Sequence, residues 1–356
     1  MRGLASGVRP VRSAAAGVWR RMVQTRAAAG RAPAGGQPPA APSPWPAPAA
    51  ASIAFDDVHN FRDLAEAEPS ILPGRVFRAA APVSASERDV RALFTNLGLK
   101  ELIDLRSTDE LRSLPQEHFD VFDGVGFTRF VRDIATRRAV PDPLSTVVTD
   151  SDIMRVHIPP LEKRRLYRSL LMRMPLKTAA YVVATSLVNK EAGRAAAIEE
   201  VNAGGLEGLY EILLDSAKPE WVASLQRILL AAERGRPLCF YCKAGKDRTG
   251  ILAMLLLSVL GATEDQIVAD YARSDAWHHV ALAGIENDSR VAALDRAKFE
   301  RAPAAAMRHA LRYVRDAAGG AERYLLDAGL SADEMARLRA ALLRPGSGGG
   351  GRPAKL

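Results

Sequence analysis

Two side chains capable of phosphate chemistry, Cys242 and Arg248, are separated by five residues in the run PLCFYCKAGKDRTG, residues 237–250. An apolar strand pattern leads into this run and an apolar helix pattern follows it. A tight loop running from a strand into a helix N-terminus points its backbone N–H groups inward, and the helix dipole strengthens the resulting anion site. One turn of loop then sets the Cys242 sulfur beneath a bound phosphorus, while the Arg248 guanidinium grips two of its oxygens. The same positive surroundings favour a thiolate over a thiol whose free pKa is about 8.5. The loop itself, Lys243, Ala244, Gly245 and Lys246 with Thr249 and Gly250 behind it, is expected to line the anion. Gly245 lets the chain fold closely, and Thr249 is placed to hydrogen-bond the sulfur.

The expected reaction is two-step phosphoryl transfer. Cys242 attacks in line, and water then hydrolyses the thiophosphate, with no metal or other cofactor required. A poor leaving oxygen needs an acid. Asp247 is the first choice; its structural alternative is a carboxylate that pairs with Arg248 or caps the next helix. Asp104 and Asp133 are the other candidate acids. Asp104 ends a strand, where open α/β sheets put their sites, and Arg106 follows it, so both are expected on the substrate side. Arg106 can instead pair with an acid. Lys243 and Lys246 add two cations to the loop; otherwise their stems cover the rim. Cys239 is placed either to pack in the central strand or to form a disulfide with oxidised Cys242.

These residues need a sheet beneath them. Short β-rich runs at 76–78, 101–105, 126–131 and 237–241 alternate with helical patterns at 86–97, 221–230, 249–260 and 264–272. The pattern implies a buried, mostly parallel sheet. Three further helices follow over 304–317, 321–328 and 332–343. Among 356 residues, 48% are apolar and only 6% aromatic, with Ala and Leu dominant, which disfavours an all-β fold. Two cysteines exclude a disulfide scaffold and a four-cysteine zinc site. The six histidines show no metal-ligand spacing. The longest apolar run, 251–262, falls short of the roughly 20 residues that cross a bilayer.

The formal charge of +8 is unevenly placed. Residues 1–55 hold seven arginines and no Lys, Asp or Glu, which leaves +1 for the rest of the chain. An Arg-rich, acid-free, Ala- and Ser-containing start is the composition of an organelle transit peptide, and the Pro/Ala run at 38–51 cannot build a core. We therefore read 1–51 as a disordered basic leader addressed to a mitochondrion or plastid, the alternative being a basic tail on a cytoplasmic protein. Residues 52–344 read as one domain and 345–356 as a flexible tail. Within the domain, 134–205 reads as a basic helical insertion. Between Arg129 and Arg194 there are thirteen Lys or Arg against six Asp or Glu. Such a segment is either a solvated face or a rim that steers an anionic substrate. With the excess charge confined in this way, nucleic acid is not an expected partner.

The run CKAGKDRTG resembles the signature loop of cysteine-based tyrosine phosphatases, in the form carried by the branch that includes dual protein and phosphoinositide phosphatases. VHNFRD at 58–63, PGRVFR at 73–78, LKELIDLR at 99–106 and QIVADYARS at 266–274 are similar to other segments of that family, as is 303–343 with GGAERYLLDAGLS inside it. The resemblance implies an α/β three-layer domain with a central, mostly parallel sheet of four or five strands. It also implies hydrolysis of phosphate monoesters on phosphotyrosine or phosphoserine proteins or on phosphoinositides. Both loop lysines together resemble phosphoinositide 3-phosphatases. By the same analogy Asn60, Arg62 and Asp63 lie beside the site. The family has His before its nucleophile, holding the loop and favouring the thiolate; this chain has Tyr241. A pseudophosphatase that binds phosphorylated partners without turnover is therefore the alternative, and a rhodanese-like sulfurtransferase a third reading, which Arg248 and the following Thr-Gly disfavour. Peripheral membrane contact is open, and the sequence is silent on oligomeric state. Residues 1–31 fused to a fluorescent reporter are expected to direct it to mitochondria or plastids; diffuse cytosolic fluorescence would refute the leader reading.

Overall fold

The computed structural model describes residues 53–112, 121–277 and 294–345. The leader, the tail, His118, His278 and His279 lie outside the described residues. In chain order the elements are β1 (Arg62–Asp63), β2 (Val76–Ala80), α1 (Glu87–Arg91), β3 (Glu101–Asp104), α2 (Thr108–Arg112), β4 (Gly126–Arg132), β5 (Ala139–Val147) and β6 (Met154–His157). Helices α3 (Lys163–Arg173), α4 (Leu176–Val188), α5 (Lys190–Ser216) and α6 (Lys218–Glu233) lead to β7 (Leu238–Cys242). Then come α7 (Asp247–Val259), α8 (Glu264–Ala272), α9 (Arg296–Glu300), α10 (Ala304–Ala318), α11 (Ala321–Ala328) and α12 (Ala332–Leu342).

Among the described residues the sheet has seven strands in the order β1-β2-β7-β3-β6-β4-β5, more than the four or five expected. Five of them, β2 to β4 in that order, run parallel, and one antiparallel strand closes each edge. The extra strands explain themselves. β1 is two residues long, and the apolar run of β6 is interrupted by Arg155 and His157. β5 contains Pro141 and Pro143, which lack an N–H and are tolerated because this strand is an edge. Residues 134–205 are accordingly not a purely helical insertion: β5 and β6 precede its helices, and β6 sits inside the sheet between β3 and β4.

Alternation along the strands assigns the two sheet faces. Leu238, Phe240 and Cys242 of β7 join the larger core, with α5 to α8 and α10 to α12. Cys239 and Tyr241 join the smaller one beneath α1. The apolar run at 251–262 is explained by α7, which is buried on nearly every side. Ser86 caps α1 and shares a capping box with Asp89, and the helix passes into a wider turn before Gly98 reverses the chain at a φ of +64°.

Candidate active site

β7 ends at Cys242 and α7 begins at Asp247, so the four intervening residues must turn the chain at the carboxyl edge of the sheet. Their carbonyls are held by donors behind the loop. Ala81 N–H donates to Lys243 O at 3.2 Å, Asn60 Nδ2 to Ala244 O at 2.9 Å, and Arg78 Nη2 to Gly245 O at 2.9 Å. In a planar trans peptide the N–H points opposite to the C=O. Fixing three successive carbonyls toward the scaffold therefore turns the N–H groups of Ala244, Gly245 and Lys246 to the other side, the concave one, where the α7 dipole adds its field. Gly245 is required twice. Its φ is +67°, and a Cβ there would lie 2.4 Å from the Ala79 carbonyl carbon.

The donors behind the loop are themselves anchored. Asp270 of α8 accepts from Arg62 Nε at 2.6 Å and forms an ion pair with Arg78 Nη1, all three side chains being buried. Arg62 also reaches the Asp270 carbonyl and Ser274 Oγ, and pairs with Asn60. Burial alone would raise the Asp270 carboxyl, but Arg78 and Arg62 hold it below the usual carboxylate range. Burial and the Arg78 charge bring the Arg62 guanidinium down to about 10. One carboxylate against two guanidiniums leaves a net positive charge behind the anion cradle. Asn60 adopts a φ of +54° to make its contact.

Within the cradle, Cys242 is a buried free thiol. Arg248 pairs with Glu110, through Nη1 to Oε2 and through Nη2 to Oε1 at 2.8 Å, and Nη1 approaches Leu105 O at 3.4 Å. By donor count this leaves the Nε–H and one Nη2–H, the edge that grips two phosphate oxygens. Burial disfavours the Arg248 charge, but Glu110, with Cys242 and Asp247 beyond it, raises its pKa. Burial would likewise raise the Glu110 carboxyl, yet Arg248 brings it down to about 2. Asp247 stands at the first turn of α7 with its side chain partly exposed; its Oδ1 accepts from Tyr210 Oη at 2.8 Å and lies 3.3 Å from Lys246 Nζ. Tyr210 shares a 2.6 Å hydrogen bond with Tyr271 Oη. The buried Thr249 Oγ1 has no partner among the described residues, so the expected bond to sulfur is not formed.

Several expected site residues have other duties. The Lys246 side chain is taken up elsewhere: it is buried, and its ammonium donates to the carbonyls of Phe299 and Arg301 at the end of α9, at 2.5 and 2.9 Å. Lys243 stays at the loop surface, half-buried, and burial pulls its pKa down. Gly250 is a packing glycine, since a Cβ there would lie 3.0 Å from Tyr271 Cδ2. Asp104 is not placed as an acid. It is fully buried on the sheet face of Tyr241, opposite the Cys242 side chain, and accepts from Arg106 Nη2 and Arg155 Nη2 at 2.7 Å each. Burial would raise its pKa, but the two guanidiniums hold it far below the carboxylate range. Arg106 accordingly serves Asp104, not a substrate. Asp133 is half-buried and caps a turn through Thr136. Cys239 points to the face opposite Cys242, and burial pushes its thiol up. Tyr241 donates to Asp104 Oδ2 at 3.3 Å and makes no hydrogen bond to the loop.

Glu110, Arg78, Asp270 and Tyr210 were not singled out from sequence as site residues. An arginine inside the buried strand VFRAA signals a buried partner, but neither Glu110 nor Tyr210 carries such a sign. Asp270→Asn leaves two buried guanidiniums without a counter-charge, and is expected to cost about 3–5 kcal/mol in urea unfolding and to weaken vanadate binding, because the Gly245 carbonyl loses its anchor. Tyr241→Phe, by contrast, is expected to cost only about 1 kcal/mol and to leave vanadate affinity unchanged.

The model of the tyrosine phosphatase family matches residues 53–344. A putative tyrosine-protein phosphatase of Cupriavidus necator is 30% identical over 239 residues, 64% of this chain and 67% of that protein. The triple specificity protein phosphatase PtpB of Mycobacterium tuberculosis is 28% identical over 220 residues, 61% of this chain and 66% of its own length. A tyrosine-protein phosphatase of Nostoc commune is 34% identical over 150 residues, 38% of this chain, and the match spans 49% of that relative. The chain belongs to the tyrosine phosphatase family, as a protein-tyrosine-phosphatase-like hydrolase.

Proposed function

We propose that the protein hydrolyses phosphate monoesters through a cysteinyl-phosphate on Cys242. The observation that carries this reading is the row of three carbonyls fastened behind the loop, which turns the N–H groups between Cys242 and Arg248 toward one concavity. In the first step the Cys242 sulfur attacks phosphorus as the P–O bond to the leaving group breaks. The Arg248 edge and the inward N–H groups hold the equatorial oxygens as charge develops there. Asp247 gives its proton to the departing oxygen; Tyr210 fixes Oδ1, so Oδ2 carries that proton. In the second step water attacks phosphorus, Asp247 takes up a proton from it, and the S–P bond breaks to regenerate the thiolate.

The substrate class is a phosphorylated protein on Tyr or Ser, or a phosphoinositide; the name of the M. tuberculosis relative, a triple specificity protein phosphatase, supports this breadth. Because Lys246 is committed to α9, the phosphoinositide reading rests on Lys243 alone. Binding without turnover is the second reading. What favours it is that Tyr241 supplies no cation beside Cys242 and that Thr249 does not reach the sulfur. Import into a mitochondrion or plastid remains our reading of the leader, supported by its composition alone.

Phosphate release from a panel of phosphopeptides and phosphoinositides separates the two. The wild-type chain is expected to turn over at least one class, and Cys242→Ser to lose on the order of 10⁴-fold in kcat while still binding vanadate. Arg248→Lys should fail as well, since an ammonium cannot make the two-point contact. Asp247→Asn is expected to lose about 10²–10⁴-fold on alkyl phosphates and far less on p-nitrophenyl phosphate, whose leaving group needs no proton. Vanadate binding with no release from any substrate would establish the binder instead; equal losses on both leaving groups would remove Asp247 from the acid role.

A further inference from the structure

Helix α4 is amphipathic with its apolar side outward. Ala179 and Val182 face the small core formed with α3 and α5, and Ser186 bonds Tyr167 Oη at 3.0 Å on that inner side. The outer side carries Leu176, Tyr181, Val183, Leu187 and Val188, exposed by 86, 64, 43, 83 and 91%, and Met172 at the end of α3 adds to it at 75%. Leu176, Ala180, Val183 and Leu187 follow helical spacing along one line, and Tyr181 and Val188 lie about a third of a turn further round the same outer side, so this is one broad apolar face interrupted by Lys177 rather than scattered single residues. A stripe of this kind in water requires a partner, and charge says which.

From Lys163 to Lys190 the chain has seven Lys or Arg and no Asp or Glu. Arg165 and Arg173 are tied to acids of α5 and α6. Lys163, Arg164, Arg168, Lys177 and Lys190 are exposed and have no ion-pair partner among the described residues. We propose that α3 and α4 form a docking surface for an anionic phospholipid bilayer, the apolar stripe of α4 entering the headgroup boundary while the surrounding cations meet acidic lipid. A stripe of large aliphatic and aromatic residues beside basic ones is the pattern of helices that lie in a membrane interface. The thirteen residues of α4 make a helix of roughly 20 Å, which suits lying flat rather than spanning. A second copy of the chain is disfavoured as the occupant, because stacking this face on itself would bring like charges together. The inference stands apart from catalysis and does not depend on turnover.

The full chain is mixed with vesicles of phosphatidylcholine alone and of phosphatidylcholine with phosphatidylserine, and partitioning is measured by flotation. Binding is expected only with phosphatidylserine and is expected to fall with salt. The triple substitution Leu176→Glu, Leu187→Glu and Val188→Glu, which leaves the leader untouched, should weaken it at least about tenfold. A retained unfolding midpoint checks that this variant still folds. As a site-specific readout, Leu187→Trp should give a fluorescence component that brominated lipid quenches. Partitioning unchanged by the triple substitution, or no added quenching with Leu187→Trp, would overturn the proposal by assigning any binding to another part of the chain. So would a dimer that the triple substitution converts to monomer without any difference on vesicles, since the stripe would then be an interface between copies.

Discussion

The site depends on one buried contact, the donation from Arg78 to the Gly245 carbonyl. Backbone carbonyls in a polar loop would otherwise turn toward water or toward the neighbouring N–H groups, and the loop would lose its inward row of donors. A lone arginine in a buried strand cannot do this, because an uncompensated buried cation costs several kcal/mol. Asp270 supplies the compensation, and β1 aligns Arg62 opposite Arg78 in register, so that both guanidiniums meet the same carboxylate. The short β1 strand, the α8 helix and the loop are therefore one unit in energetic terms, although they are far apart in sequence.

A second cluster of the same composition lies on the other face of the sheet. Asp104 is held by Arg106 and Arg155, and Tyr241 closes it from β7. The nucleophile strand thus runs between two buried Arg–Asp–Arg groups, each with one positive charge in excess. Their common effect is a fixed positive field around the end of β7 that requires no rearrangement when an anion arrives. This arrangement also bears on the missing histidine. A cation next to the nucleophile is one source of positive potential among several, and here Arg248, Lys243 and the two clusters surround the same strand end.

How much of this was legible in the sequence depends on distance along the chain. The phosphate loop, its helix and its central strand are contiguous, and their residue types announce both structure and chemistry. The parallel core of the sheet and the C-terminal helices follow from periodicity. β1, β5 and the one inner strand β6 do not, since β1 has two residues, Arg155 and His157 interrupt the apolar run of β6, and the two prolines of β5 argue against a strand. Charged residues were the least legible. Lys246 and Asp104 sit where a ligand or acid would sit in sequence, yet each is consumed by a partner from a distant segment: the carbonyls ending α9 for one, the guanidinium of Arg155 for the other. Glu110 and Tyr210 show the converse, ordinary residues in amphipathic helices that become part of the site only when the fold brings them to Arg248 and Asp247.

Tyr210 gives the basic segment a meaning that composition alone did not. It projects from α5, the helix against which α3 and α4 pack, and its hydroxyl fixes the carboxylate at the start of α7. α5 is broken at Gly205, where φ is +57° and ψ is −154°, so the part bearing Tyr210 and the part bearing the α4 contact are two rods joined at a glycine. Ala197 of the far rod and Ile212 of the near rod both reach the small core beneath α3 and α4, while Tyr210, Leu213 and Leu214 of the near rod belong to the main one. The near rod thus belongs to both cores, and Arg173 of α3 pairs with Glu211 and Asp215 on it, which fastens the basic, apolar-faced outer helices to the rod that bears Tyr210. One helix, α5, in this way packs the α3–α4 pair on one side and holds the Asp247 carboxylate through Tyr210 on the other.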